Sequence, residues 1–136
     1  MKIFIDTNLW VRFFIQDVQA QYEISKNLLA KVEVGEFKVY TSTIVLLELQ
    51  FVLQKLYKLT FEGLNEVFEV IKNLRGITII DKTDFDLAWK FYKKYKIKFS
   101  DCLIASQLPK KTILVSFDEE LSKIKEIEVK NPLTLL

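Results

Sequence analysis

Four acidic residues stand where the surrounding sequence is strongly apolar. Asp6 directly follows the run KIFI, and Asp118 directly follows the run ILVSF. Glu48 lies within TSTIVLLELQFVLQ, and Asp101 lies at the start of SDCLIASQL. An ionised carboxylate in apolar surroundings is costly unless it is paired or binds a metal. These acids are therefore candidates for a functional site.

Each acid taken alone also has a purely structural explanation. Ser100 could cap a helix that carries Asp101 in its first turn, where a negative charge suits the helix dipole. Asp118 could itself be a helix cap, and so could Asp6. Glu48 could form a salt bridge with a lysine. The case for function depends on whether the fold brings the four together.

Short apolar runs alternate with longer segments of helical character. The runs predict strands at Lys2–Ile5, Lys38–Thr41, Ile77–Ile80, Thr112–Phe117 and Glu128–Val129. The longer segments predict helices at Asn8–Ile15, Ala20–Val34, Ser42–Tyr57, Phe61–Leu74, Thr83–Tyr95 and Ser100–Leu108, with a shorter one at Glu119–Lys125. This alternation predicts an α/β fold built on a parallel sheet.

A parallel sheet would gather these acids at one edge, because ligands bind outside the carboxyl ends of its strands. Asp6, Glu48 and Asp118 would reach that edge from three strand-to-helix junctions, and Asp101 from the helix before strand four. Carboxylates about 5 Å apart repel by roughly 3 kcal/mol per pair at an effective dielectric constant of about 20. The cluster therefore needs a divalent cation, or some members must be protonated.

The position of Glu48 within its predicted helix is informative. At about 100° per residue, Gln50 and Gln54 share one face, while Glu48 lies on the opposite face with Phe51 and Val52. We therefore expect Glu48 to face the body of the protein.

The composition excludes several kinds of site. The chain has no histidine, one cysteine and three widely separated glycines. His-based catalysis, Cys-rich zinc sites and glycine-rich phosphate loops are therefore excluded. The remaining oxygen donors suit Mg²⁺ and Mn²⁺.

The length of 136 residues fits one domain, and half of the residues are hydrophobic, which is enough for a core. The net charge of +2 means that any basic patch must be local. Asp6 interrupts the first apolar run too early for a signal peptide, and no run is long enough to span a membrane. We expect a soluble cytoplasmic protein.

In order and spacing, IDTN at residue 6, a helix-borne Glu48, SDCLIA at Asp101 and VSFDEEL at Asp118 resemble the PIN-domain ribonucleases. The VapC-type toxins of bacterial and archaeal toxin–antitoxin pairs are the most similar subgroup. The resemblance runs from residue 2 to about residue 130. It implies that residues 1–136 form a single α/β/α sandwich with a five-stranded parallel sheet in the order 3-2-1-4-5.

The resemblance also implies hydrolysis of RNA phosphodiester bonds with Mg²⁺ or Mn²⁺, by attack of water. The family's acids fall on Asp6, Glu48, Asp101 and Asp118. Its supporting hydroxyl and amide groups fall on Thr7, Asn8 and Ser116. All the acids except Glu48 are expected to bind metal directly or through water. Glu48 could be a ligand or could orient the attacking water.

Several cationic residues could meet the RNA. Arg12 lies one helical turn after Asn8, and we expect it to contact a phosphate at the mouth of the cleft. Other lysines lie close to the acids in sequence, and for these a solvated surface is the favoured interpretation: Lys94, Lys96, Lys98, Lys110 and Lys111. The resemblance further implies a homodimer and a cognate antitoxin protein as partners.

Three alternatives remain open. One is a phosphoacceptor domain that uses Asp6 and Asp81, although it leaves Glu48 unexplained. The others are a PIN-like RNA-processing nuclease that is not a toxin, and a non-catalytic RNA- or protein-binding module on the same fold. Near Asp81, Thr83 and Asp86 fit a variant of the helix-capping box better than a metal loop.

Overall fold

The computed structural model describes residues 1–136, and its centre is a five-stranded sheet. The strands are β1 (Lys2–Ile5), β2 (Lys38–Ser42), β3 (Thr78–Ile80), β4 (Thr112–Val115) and β5 (Glu128–Lys130). All neighbouring strands are parallel, and their order is β3-β2-β1-β4-β5. The predicted fold class and strand order are confirmed.

Six α-helices connect the strands. They are α1 (Thr7–Ile15), α2 (Gln19–Glu33), α3 (Thr43–Lys55), α4 (Phe61–Lys72), α5 (Phe85–Tyr95) and α6 (Phe99–Ser106). Two short 3₁₀ helices follow at Glu119–Lys123 and Pro132–Leu135. The last predicted helix is therefore a 3₁₀ helix, and β4 ends two residues earlier than predicted.

The two central strands are the most deeply buried. Ile3, Phe4 and Ile5 of β1 are inaccessible to solvent, and every residue of β4 is buried. Such continuous apolar strands are typical of a parallel sheet whose two faces are covered by helices. None of the helices combines the length and apolar character that crossing a bilayer requires.

The register between β1 and β4 places two predicted site residues side by side. Ile5 pairs with Val115 in the parallel ladder, so Asp6 and Ser116 are the first residues beyond it on each strand. The Asp6 amide also donates to the Val115 carbonyl at 3.1 Å. The carboxyl edge of the sheet therefore brings residues 110 positions apart into contact.

The junction between β2 and α3 contains no loop residue. Ser42 ends the strand, and Thr43 begins the helix. The Ser42 hydroxyl accepts a hydrogen bond from the Val45 amide at 3.3 Å, which caps the helix. This junction fixes how α3 leaves the sheet and therefore where Glu48 lies.

A second, smaller core joins α5 to α6. Its buried residues include Ala88, Phe91, Cys102 and Ala105. The cap of α5 differs from the expected one, because Asp84 rather than Thr83 accepts a hydrogen bond from the Leu87 amide at 3.0 Å. The helix begins at Phe85, so Asp84 is the residue at the capping position.

Candidate active site

Ser116 organises the region where β1 and β4 end. Its buried hydroxyl donates to Asp6 Oδ2 at 2.8 Å and accepts from Asn8 Nδ2 at 3.1 Å and from the Asp118 amide at 3.0 Å. Asn8 Oδ1 accepts from the Phe117 amide at 3.1 Å. These contacts hold Asp6 in place and tie the start of α1 to the segment after β4.

Glu48 is held by two hydroxyls and one ammonium group. Thr7 Oγ1 donates to Glu48 Oε1, and Ser100 Oγ donates to Glu48 Oε2, both at 3.0 Å. Lys98 Nζ lies 3.3 Å from the same Oε2. The salt bridge expected of a purely structural glutamate is therefore present, but it forms beside Asp101 and Thr7.

The prediction that Glu48 lies on the buried face of α3 is only partly correct. Val45, Leu49 and Leu53 form the buried stripe, whereas Phe51 is 58% exposed. Glu48 is half-buried at the border of that stripe, so it faces the cleft between α3 and α6 rather than the core. The many apolar residues around Glu48 suggested that more of α3 is buried than the structure shows.

Asp101 is buried, and its environment favours the neutral form. Burial raises the pKa of Asp101 to about 7; Lys98 opposes this shift, and the charges of Asp6, Glu48 and Asp118 add to it. Burial lowers the pKa of Lys98, but Asp101 and Glu48 outweigh it and leave that pKa raised. Lys98 therefore supplies positive charge to an otherwise acidic cleft.

Asp6 and Asp118 differ in exposure. Burial raises the pKa of Asp6 despite the hydrogen bond from Ser116, and the charges of Glu48 and Asp118 act in the same direction. Asp118 is exposed, and its Oδ1 accepts from the Glu120 amide at 2.9 Å. The capping role considered for Asp118 is therefore present, and it uses only one carboxylate oxygen.

The four acids line one cavity of about 280 Å³ at the carboxyl edge of the sheet. Its other lining residues are Thr7, Asn8, Val11, Arg12, Val52, Leu56, Tyr57 and Lys98. A larger cavity of about 420 Å³ opens near the first residues of β4 and β5 and has no such cluster of acids. We place the candidate site in the smaller cavity because ligands bind at the carboxyl ends of parallel strands.

The oxygen donors of the cavity fit a hard divalent cation, although they are not arranged as a closed cage. No three acidic or cysteine side chains stand close enough together to hold one metal ion. Carboxylate, hydroxyl and amide oxygens are nevertheless the donors that Mg²⁺ and Mn²⁺ prefer. The raised pKa values of Asp6 and Asp101 reflect burial and mutual repulsion, and a bound cation would offset the repulsion.

A comparison with models of protein families identifies the family of this chain. The model of the PIN domain matches residues 3–127. The chain belongs to the PIN domain family. PIN domains are generally nucleases. A search of curated proteins found no match.

Solved structures resemble this PIN domain over nearly its whole length. VapBC2 from Rickettsia felis, bound to a DNA fragment from its promoter, has a TM-score of 0.70 and 20% identity, covering 96% of this chain and 98% of that one. VapBC-1 from nontypeable Haemophilus influenzae gives 0.68 and 14%, covering 98% and 99%. FitAcB from Neisseria gonorrhoeae gives 0.65 and 18%, covering 98% and 99%. At these identities the likeness shows the shared fold.

Arg12 lines the cavity of this PIN domain, but its guanidinium has a partner. Arg12 Nη1 lies 2.8 Å from Asp17 Oδ1, and Tyr57 donates to Asp17 Oδ2 at 2.9 Å. Asp17 follows α1 and was not singled out in the sequence. A phosphate contact by Arg12 would have to compete with this pair.

Two further residues of the PIN domain site were missed or undervalued. Ser100 was interpreted as a cap, but α6 begins at Phe99 and the Ser100 hydroxyl instead binds Glu48. Lys98 was grouped with solvated lysines, yet it lines the cavity. Their position in the sequence could have indicated this role, because Lys98 and Ser100 lie just before Asp101 and reach the cleft together with it.

Proposed function

We propose that this PIN domain is a Mg²⁺- or Mn²⁺-dependent endoribonuclease. One observation carries the proposal: Asp6, Glu48, Asp101 and Asp118 line one cavity at the carboxyl edge of the sheet. Such a concentration of acids is unfavourable unless it binds cations or protons. An all-oxygen site on a nuclease fold is best explained by metal-assisted hydrolysis of a phosphodiester.

The acids take distinct roles in this proposal. Asp6, Asp101 and Asp118 bind metal directly or through water, and Glu48 is a further ligand or orients the attacking water. When bound, the cation polarises the scissile phosphate and acidifies a coordinated water. Water attack breaks the bond between phosphorus and the 3′ oxygen and leaves a 5′-phosphate and a 3′-hydroxyl.

The surrounding side chains position these acids. Ser116 and Asn8 hold Asp6 and the segment that carries Asp118, while Thr7 and Ser100 hold both oxygens of Glu48. Such supporting hydrogen bonds fix the orientation of metal-binding carboxylates. Thr7, Asn8 and Ser116 therefore support the site without reacting. Arg12 would contact an RNA phosphate after exchanging its bond with Asp17.

We further propose that residues 1–136 form one nuclease domain that acts in the cytoplasm as the toxin of a VapBC-type pair. The similar solved structures VapBC2 and VapBC-1 support this reading. The proposed partners are a cognate antitoxin and a second copy of the chain.

Cleavage of RNA by the purified chain, freed of any antitoxin, tests the proposed activity. We expect fragments with 5′-phosphate ends in Mg²⁺ or Mn²⁺ and none in EDTA. Asp6→Asn should lower the cleavage rate by about 100-fold or more, because loss of even a supporting contact costs about 10- to 100-fold at metal sites.

Asp81→Asn is the matched control. Asp81 is an exposed aspartate just beyond β3, outside the cavity, and it is the residue that a phosphoacceptor mechanism would use with Asp6. The control should keep full activity. Absence of cleavage across several RNAs with both metals would refute the nuclease proposal, and a loss of cleavage in Asp81→Asn would contradict the assignment of the activity to the acidic cavity.

A further inference from the structure

We propose that an unpaired stretch of RNA stacks its bases on an exposed aromatic strip beside the acidic cavity. The strip consists of Phe85, Trp89 and Tyr92 on α5 and Phe99 at the start of α6. This inference rests on the proposed ribonuclease function and names the form of substrate that the site accepts.

The rings form one continuous cluster on the outside of the molecule. Phe85 and Trp89 are near-parallel, with centroids 6.4 Å apart, and Trp89 and Tyr92 are near-parallel at 5.6 Å. Phe99 contacts all three rings edge-on. Phe85, Trp89 and Tyr92 are 60%, 43% and 38% exposed, so much of their apolar surface faces solvent.

Helical spacing puts these rings on one face of α5. Residues at i, i+4 and i+7 lie within one stripe, and Phe85, Trp89 and Tyr92 have this spacing. The buried side of α5 is made by Ala88 and Phe91. The strip is therefore not the core face of the helix, and the fold leaves it uncovered.

The charge around the strip is positive. Lys93 is one helical turn after Trp89 on α5, and Lys96 is the residue that follows the last turn of the helix. Lys90, Lys93 and Lys96 are exposed, and none of them takes part in an ion pair. The only acid within α5 is Asp86, in its first turn.

The strip adjoins residues of the cavity along the chain. Phe99 lies between Lys98 and Ser100 in the chain, and both of these side chains contact Glu48. Asp101 follows in the same helix and lines the cavity. RNA lying on the ring of Phe99 would therefore be one residue along the chain from side chains at the acidic site.

Exposed aromatic rings with free lysines fit a single-stranded nucleic acid. Bases stack on such rings, and cations pair with the backbone. An A-form duplex hides the faces of its bases, so the strip favours unpaired RNA. A second copy of the chain is the competing occupant of the strip, and the oligomeric state of the strip variants distinguishes it from RNA.

Tryptophan fluorescence tests the contact directly. The chain has two tryptophans, and Trp10 is buried, so Trp89 is the one that solvent and RNA can reach. In EDTA, where cleavage is blocked, a short single-stranded RNA should quench the emission. Quenching should persist in Trp10→Phe and disappear in Trp89→Leu.

Affinity and salt dependence complete the binding test. Trp89→Leu should weaken the binding of single-stranded RNA by about fivefold or more, the effect of losing one stacked base. Lys93→Ala combined with Lys96→Ala should lower the slope of log K against log salt by about 1.4. Phe61→Ala, which removes an exposed ring on α4, should leave RNA affinity unchanged.

Kinetics separate this inference from the proposed function. Trp89→Leu should raise KM for single-stranded RNA and leave the hydrolysis of bis(p-nitrophenyl) phosphate unchanged, because that small diester does not reach the strip. A wild-type protein that binds RNA through Trp89 but cleaves none would contradict the ribonuclease function and leave the strip standing.

Three results would overturn the stacking inference. The first is unchanged RNA affinity in Trp89→Leu. The second is an equal loss of activity on the small diester, which would mean that the residue acts through the fold. The third is conversion of a dimer to a monomer in sedimentation experiments, which would assign the strip to an interface between copies.

Discussion

The fold strongly alters the ionisation of Asp101. Its pKa is raised from 3.8 to about 7, first by burial and then by the acids around it. The folded chain therefore holds a proton that the unfolded chain releases at much lower pH. Without metal, this proton and Lys98 reduce the repulsion within the cavity.

The raised pKa of Asp101 predicts how stability depends on pH. The stabilising contribution is complete below about pH 3.8 and is lost as pH rises towards and through about 7, because the folded state binds more protons in that window. In EDTA, we expect the free energy of unfolding of wild type to fall relative to that of Asp101→Asn between about pH 5 and pH 8.

Urea unfolding of both proteins at several pH values measures this difference. Asp86→Asn is the control, because Asp86 is exposed in the first turn of α5 and should keep the wild-type pH dependence. A constant difference between wild type and Asp101→Asn across the window would show that Asp101 titrates normally.

Among single residues, the four acids of the site could be predicted from the sequence, but the side chains that contact them were harder to predict. Asp6, Glu48, Asp101 and Asp118 stood out because a carboxylate in an apolar run is rare. Lys98 and Ser100 did not stand out, since a lysine or serine before a helix is ordinary in composition. Their roles depend on the distance between α6 and α3, which only the folded chain shows.

The helix that carries Glu48 starts without a loop. Ser42 is at once the last residue of β2 and the cap of α3, and it is fully buried. A loop would allow α3 to vary its direction, whereas this junction leaves little freedom. The position of the Glu48 carboxylate is therefore set largely by the sheet.

Ser42→Ala should destabilise the protein by about 1 kcal/mol, the typical cost of losing a helix cap. Thr43→Ala is the matched control, because Thr43 is exposed and its side chain forms no hydrogen bond in the helix cap. Chemical denaturation of the two variants gives the comparison. An equal effect of the two substitutions would mean that the hydroxyl of Ser42 does not stabilise α3.

The strands and α-helices and their order along the chain could be predicted, but the buried face of α3 and the first residue of α5 could not. The pattern of apolar residues identified all five strands and all six α-helices but not the 3₁₀ helix Pro132–Leu135, and Phe51 was expected to be buried and is exposed. An apolar residue is not obliged to be covered. Thr83 and Asp84 are both good caps, and only the true start of α5 at Phe85 distinguishes them.

For the whole molecule, metal binding should appear as stabilisation. A ligand that binds only the folded state at about 100 times its dissociation constant adds about 2.7 kcal/mol to the free energy of unfolding. For a chain of this size, we expect Mn²⁺ to raise the melting temperature by about 5–10 °C.

Thermal unfolding with Mn²⁺ and with NaCl at equal ionic strength separates specific binding from screening. Asp6→Asn should lose most of the shift, and Asp81→Asn should keep it. If Asp6→Asn responds to Mn²⁺ as the wild type does, Asp6 is not a ligand.

The order of the strands was predicted from the family resemblance and not from the pattern of strands and helices. Alternating strands and helices predict a parallel sheet but not which strands are neighbours. The motifs around Asp6, Asp101 and Asp118 implied the order 3-2-1-4-5, and the observed pairing of β1 with β4 confirms it. The distances between the acids could not be obtained in this way, because they depend on side-chain contacts.

The contact between Lys98 and Glu48 gives the acidic cleft a counterion from the chain itself. An ammonium group 3.3 Å from Glu48 Oε2 holds a place that a divalent cation would also favour. Lys98 is on a long side chain and is exposed, so it can leave without disturbing α6. In the proposed ribonuclease, an arriving cation would compete with Lys98 for Glu48, and the displaced ammonium group would then be free to contact an RNA phosphate.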